Sequence, residues 1–346
     1  MGEGYGSWAA IAAAIKASAK AGAVGGRSVN EVLASAMFDR LLSRVFSDGA
    51  DSGWLLKGGG AMLARIPTAR HTTDIDLGAT AGTLDQATEA LAATISRDIG
   101  DHLTFQVSAS RSAGKGDSQP GVEIRRLVLT ATEPGRPKII AQVPVDLVTA
   151  APPVGQILTV DPANRFQLPK PLPVNPYRLY PMVDHIADKV CATMTTYPGG
   201  RPSSRVKDLV DLALIARTQT VDLDELRLAI TTKRALSRLP ASTAFTIPDG
   251  WHTKYHLLAS RIPELAGLAD ITAALSLVTA MINPALDTTN APGNNWHPHH
   301  ASWTETSSPP VPAAETTPEP GRGVHVRAHT RQGRPISQHH RTPRHH

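Results

Sequence analysis

Apolar residues recur along the first half of the chain with two interleaved rhythms. Over residues 28–46 they fall at helical spacing (Val32, Leu33, Ala36, Leu41, Leu42), and Ser28 or Asn30 stands where a cap is needed. The short apolar run Trp54, Leu55, Leu56 stops at Lys57 and the triplet Gly58, Gly59, Gly60. That order predicts a strand entering a tight turn, with a short helix over 61–65 behind it. A second short strand is predicted over 72–77, a helix over 83–99 and an alternating strand over 102–109. Two β-rich runs, 122–132 and 138–148, flank Glu133, Pro134, Gly135 and Arg136, a turn signal. With an Ala-rich helix near Trp8, residues 1–151 form a mixed α/β unit.

Downstream the rhythm changes. Residues 152–181 are dense in proline and predict a connection with little regular structure. Helical spacing then returns over 183–197, 204–218, 223–236 and 268–282, a helical domain of residues 182–284. From 285 the chain is rich in Thr, Pro, Asn, His and Arg. Too little apolar surface is present to offset the entropy of ordering, so 285–346 is expected to be a disordered tail. The fold class expected is α+β: a mixed sheet with helices, then a helical domain and the tail.

Composition narrows the function classes. Of the net charge of +5, the tail supplies +2 through six arginines against four acids, so the rest of the chain is only mildly basic. The single cysteine, Cys191, excludes an internal disulfide and predicts a reducing, cytoplasmic setting. It reads as a small core residue or a nucleophile, and no His–Asp or His–Asn partner for the second role is discernible. No run of about 18 apolar residues exists, so no membrane-spanning helix is expected. The start of the chain lacks a basic segment and predicts no secretory signal.

Chemistry concentrates in two windows. In the first, Asp74 and Asp76 lie two apart on a predicted strand and so share a face, about 7 Å apart along the backbone. Two like charges there invite a divalent cation, and oxygen-only ligation favours Mg²⁺ or Mn²⁺. Gly58 and Gly59 would let the backbone approach a phosphate, with the free N–H groups of the next helix beside it. Asp146, between β-branched neighbours, is the candidate third metal ligand; the alternative is an outward-pointing acid on an edge strand next to Pro144. In the second window, Lys189 follows Asp188 on one helix, and Arg205, Lys207, Asp208 and Asp211 lie on the next. These read either as a salt-bridged solvent face, with Lys207 pairing to Asp211, or as a triphosphate site. In the second case Lys189 reaches the phosphates and Asp211 orients it or a substrate hydroxyl. His71 and His185 lie near these windows as possible nucleotide or RNA contacts, or as ordinary packing.

The order K-G-G-x-A, R-x-T-x-D-I-D-L, a strand acid, A-x-K and R-x-K-D-L-x-D-L resembles the AbiEii/AbiGii-type nucleotidyltransferase toxins, which include the MenT toxins, in the DNA polymerase β superfamily. The resemblance covers roughly residues 28–217. It implies a polymerase-β-like nucleotidyltransferase domain followed by a helical one, with the site in the cleft between them. It implies Asp74, Asp76, Lys189 and Asp211 as catalytic residues, and Lys57, Gly58, Gly59, Arg70 and Lys189 as nucleotide-binding. It also implies a magnesium-dependent transfer of NMP from an NTP to an RNA acceptor, the tRNA 3′ end in MenT-like members, and a cognate antitoxin. Arg65, Arg201, Arg205 and Lys207 are candidate RNA contacts. The family often has Ser or Thr after the glycine pair; Gly60 here removes that hydroxyl. Two other readings stay open: a small-molecule or protein hydroxyl as acceptor, and a non-catalytic polyanion-binding protein acting through its basic tail.

Overall fold

The computed structural model describes residues 4–20, 28–113, 123–149, 151–165, 167–287, 289 and 294–305. In chain order the first part runs α1 (Trp8–Lys20), α2 (Val29–Val45), β1 (Trp54–Leu56), α3 (Gly58–Arg65), β2 (Ile75–Ala79), α4 (Leu84–Ile95), β3 (Thr104–Ala113), β4 (Ile124–Glu133), β5 (Arg136–Thr149), β6 (Leu158–Val160) and β7 (Tyr177–Leu179). Capping boxes start two of the helices, Ser28 with Glu31 on α2 and Thr83 with Gln86 on α4. The seven strands form one mixed sheet in the order β3-β4-β5-β2-β1-β7-β6. Strand β2 runs parallel to β5 and antiparallel to β1.

The proline-dense stretch 152–181 differs from its expected irregularity. It contributes β6 and β7, and β7 pairs parallel with β1 at Leu56 and Leu179. Each strand has three residues, too few to show a period, and both stand at one end of the sheet, where prolines are tolerated. The edge-strand reading of Asp146 also fails, because β5 lies between β4 and β2. Pro144 sits one residue before β2 joins β5, where β5 has a single neighbour.

The second part runs α5 (Met182–Met194), α6 (Val206–Thr218), β8 (Val221–Asp222), α7 (Leu223–Ser237), α8 (His252–Ala259), α9 (Ile271–Leu286), β9 (Asn295–His297) and β10 (Ser302–Thr304). Helix α6 is the centre of this part. Residues 208–216 are buried without a break, so the helix has no solvent face between Lys207 and Arg217.

Two apolar cores result. One lies under the sheet, with Ile75, Leu77, Val145 and Leu147 covered by α2 and α4; the other surrounds α6. Helix α3 joins them, giving Ala61 and Ala64 to the first and Met62 and Leu63 to the second.

Residues 285–287 and 294–305, expected to belong to the disordered tail, are instead part of the folded structure. Strands β8, β9 and β10 form a small sheet, and Trp296 is fully buried, its indole N–H donating to the Ala216 carbonyl at 2.7 Å. Two tryptophans in a polar stretch, Trp296 and Trp303, supply the apolar surface that composition averaged away, and their rings meet edge to face at 5.8 Å. Residues 306–346 lie outside the described residues. Trp296→Ala is expected to cost about 3–5 kcal/mol in urea unfolding. An unchanged midpoint would show that this segment is not part of the core.

Candidate active site

Asp76 on β2 and Asp146 on β5 are direct register partners on adjacent parallel strands, so their side chains leave the sheet on one face. Arg126 on β4 continues the row and lies 3.6 Å from the Asp146 carboxylate. Asp74 sits just before β2 rather than on it, and its carboxylate accepts a hydrogen bond from the Thr72 hydroxyl at 2.8 Å. Burial, then the charges of Asp74 and Asp146, push the Asp76 carboxyl up to about 6 against the pull of Lys189 and Lys57. Burial, with Asp74 adding, also raises Asp146, while Arg126 and Arg111 oppose the rise. This wall of acids is therefore under-neutralised.

The glycines make room for it. They form the first turn of α3 itself rather than a turn ahead of it. Gly58 has φ +55°, and a Cβ there would lie 1.7 Å from the Asp76 carboxylate. A Cβ at Gly59 would lie 2.7 Å from Thr72, the residue that holds Asp74. At Gly60 a Cβ would point toward the Leu56 side chain, 3.1 Å away, so a hydroxyl there would start from the core side. Lys57, the residue capping α3, places its ammonium 3.2 Å from Asp188 and 3.9 Å from the centre of the Tyr180 ring; Lys233 also pairs with Asp188.

The opposite wall is helical and carries the reverse balance. Asp208 and Asp211 on α6 are buried, not on a solvent face. Lys189 donates to Asp208 at 3.0 Å and to Asp211 at 2.6 Å. Arg70, from the loop before β2, holds Asp211 through two bonds of 2.9 Å, and Arg205 pairs with Asp208. Lys207 stays exposed and does not pair with Asp211. Burial alone would lower the Lys189 pKa; Asp208 and Asp211 reverse that and hold it above the ordinary lysine value. Burial would likewise raise Asp208, and Lys189 and Arg205 keep it below the carboxylate range.

Between the walls lies an open cleft of about 960 Å³. It is lined by Lys57, Gly58, Gly59, Arg70, Asp74, Asp76, Asp146, Lys189, Arg201, Arg205 and Lys207. A second cavity of about 450 Å³ touches His71 and Thr72 but none of the three acids. The family model of the nucleotidyl transferase AbiEii toxin, a type IV toxin–antitoxin system, matches residues 40–276. The chain belongs to the AbiEii nucleotidyltransferase toxin family.

Three solved structures are similar to this toxin. MenT4, a nucleotidyltransferase toxin from Mycobacterium tuberculosis H37Rv, is 17% identical, with a TM-score of 0.45 and coverage of 82% of this chain and 99% of that one. A candidate nucleotidyltransferase from H. pylori is 14% identical, with a TM-score of 0.43, 77% of this chain and 100% of that one. JHP933 from Helicobacter pylori is 14% identical, with a TM-score of 0.40, 76% and 95%. A comparison with curated proteins found no match. Among the described residues of the AbiEii chain, no helix is long and apolar enough to cross a membrane.

Two of the expected site residues lie outside the cleft lining. Asp211 is fully buried behind Lys189 and Arg70, so it touches the cleft only through them. Arg65 turns inward to the Tyr180 carbonyl at 2.7 Å, which removes it from the RNA-facing set, and burial lowers its pKa to about 10. Cys191 is buried, and burial and Asp188 push its thiol up to about 12, which leaves it inert at neutral pH. Sequence reasoning missed Arg126, Tyr197 and Lys254 as lining residues. Arg126 was within reach, since it stands in a β-rich run; Lys254 is on α8, which showed no apolar period.

The two kinds of acid carry opposite signatures. The folded AbiEii chain binds the Asp76 proton at about 6 and an unfolded Asp does so at 3.8, so its contribution to stability falls as pH rises between those values. The full cost, at most about 3 kcal/mol, is then present at pH 7. Asp76→Asn is expected to raise the melting temperature of metal-free protein at pH 7, and to lose that advantage below pH 4. Asp211→Asn, which strips Lys189 and Arg70 of a shared partner, is expected to cost about 3–5 kcal/mol in urea unfolding. The same sign for both variants would refute this division. Gly58→Ala is expected to drive the Asp76 carboxylate from its place and to cut transferase activity at least about a hundredfold; near-wild-type turnover would contradict it.

Proposed function

We propose that the cleft binds a nucleoside triphosphate with a divalent cation and transfers its NMP to an RNA hydroxyl, the tRNA 3′ end being the leading acceptor. The observation that carries this reading is the in-register pair Asp76 and Asp146 beside Gly58, facing Lys189 across one cleft. Asp74, Asp76 and Asp146 would hold the cation. Among the described residues no three His, Cys, Asp or Glu side chains are already gathered as a cation cage. Two or three carboxylates beside a polyphosphate seat fit Mg²⁺ nonetheless, because that ion is held through one or two carboxylates plus substrate phosphates. Mn²⁺ suits the same oxygen donors. Bound there, the cation would neutralise phosphoryl charge and lower the pKa of the attacking hydroxyl.

The chain's own residues do the rest. The N–H groups opening α3 face the phosphates from the glycine turn. Lys189, fixed by Asp208 and Asp211, and Arg70 present permanent positive charge to a developing negative one without reorganisation. Lys57 adds a third cation from the end of β1. The acceptor hydroxyl attacks the α-phosphate and pyrophosphate leaves. Arg201, Arg205, Lys207, Arg126 and Lys254, on the cleft lining, suit an acceptor with its own phosphates. Blocked translation, release by a cognate antitoxin and a cytoplasmic location follow from this reading.

Purified protein incubated with labelled NTPs, Mg²⁺ and total RNA is expected to label the tRNA band. Asp76→Ala and Lys189→Ala are each expected to abolish that label and growth inhibition. Label confined to small molecules or protein would turn the reading to another acceptor. Unchanged toxicity in both variants would remove the catalytic assignment. Truncation after residue 306 is expected to leave NTP turnover intact; its loss would favour the tail-centred model.

A further inference from the structure

Helix α5 carries four ionisable side chains in its first two turns: Asp184, His185, Asp188 and Lys189. Three of them are partnered. Asp184 accepts from the backbone N–H of Val154 and Gly155 at 2.9 and 2.8 Å, Asp188 pairs with Lys57, and Lys189 pairs with Asp208 and Asp211. His185 is the exception. It is 3% exposed, and neither ring nitrogen has a hydrogen-bond partner. A buried polar group without a partner is costly, and a Leu or Phe would fill the space without that cost. His185 nevertheless belongs to the cleft lining together with Lys57, Gly58 and Lys189, its ring nitrogens just beneath that surface, and it stands one helical turn before Lys189 on the same face of α5.

We propose that His185 is a nucleotide-positioning residue, its ring N–H donating to an oxygen of the triphosphate in the cleft. This rests on the reading of the cleft as a nucleotide site. The chemistry selects the partner. The electrostatic surroundings of the ring are set by Lys189, Arg65, Lys57 and Arg70. Burial, then these four cations, hold the imidazole neutral, so it offers one N–H and one lone pair. A cationic ligand would meet four positive charges there. An anionic oxygen would meet favourable charge and a free donor together, as a short charge-assisted bond.

The test uses the full-length protein, with magnesium tripolyphosphate and the four magnesium NTPs as calorimetric probes, and steady-state kinetics with whichever NTP turns over. His185→Phe is expected to weaken binding and raise KM for the nucleotide by roughly tenfold, with kcat within about threefold. His185→Gln, which keeps an N–H donor, is expected to return both to within about threefold of wild type. The melting temperature of ligand-free His185→Phe is expected to equal or exceed that of wild type, since the variant removes two unsatisfied buried atoms. Wild-type affinity in His185→Phe would overturn the proposal. So would a fall in melting temperature that tracks the loss of affinity in both variants, because that marks a packing role. If the wild-type chain takes up none of the probes, the nucleotide reading of the cleft fails, a result distinct from wild-type binding that the variants leave unchanged.

Discussion

Charge balance across one cleft governs this molecule. On the sheet side, the charges of Asp74 and Asp146 add to burial in raising the proton affinity of Asp76, and Asp74 adds to it at Asp146. Arg126 is the one cation paired with them among the described ion pairs, at 3.6 Å from Asp146. On the helical side the excess is reversed, with Arg70, Lys189 and Arg205 closing on Asp208 and Asp211. Neither wall is neutral by itself. Arg70 crosses between them, since it belongs to the loop ahead of β2 and anchors on α6. A metal-bound triphosphate, the ligand proposed above, carries both signs and would offset both imbalances at once.

Backbone geometry sets where those charges can stand. Had Gly58 a side chain, it would occupy the space of the Asp76 carboxylate, and one at Gly59 would displace Thr72 from Asp74. The glycine pair therefore does two things that are separable in principle. It leaves the start of α3 bare of side chains, and it admits the acids beside that opening. Helix α3 then fastens the arrangement by burying one side in each core.

Much of the fold was legible because its signals are local. The β-rich runs and turn signal of the β4–β5 hairpin, the capping Ser28 and the apolar stop at Leu56 each act within a few residues. Strands β6 to β10 were not legible, for they have two or three residues each and gain their hydrogen bonds only from partners far along the chain. Trp296 shows the limit of composition as a guide: a single large ring, seated under α6, orders a segment whose average is polar. For Asp208 and Asp211 the signal was present and outweighed. A period through Val206, Leu209, Val210 and Ala213 suggested a two-faced helix, whereas the unbroken run from Leu212 to Ala216 marks a helix apolar all round.

The sequence by itself determined which side chains can do chemistry and in what order they come: Gly58 and Gly59, Asp74 and Asp76, Asp146, Lys189, Asp211. Spacing along a chain reports which residues share a strand or helix face, and it pointed to Asp74 and Asp76 together, although Asp74 stands just ahead of the strand that carries Asp76. It carries nothing about two residues seventy positions apart. Only the tertiary structure set Asp76 opposite Asp146, buried Asp211 behind Lys189, turned Arg65 inward and left His185 without a partner. Those outcomes depend on strand register and on which helix lies at the centre, and both are decided by packing over the whole molecule rather than by any local preference.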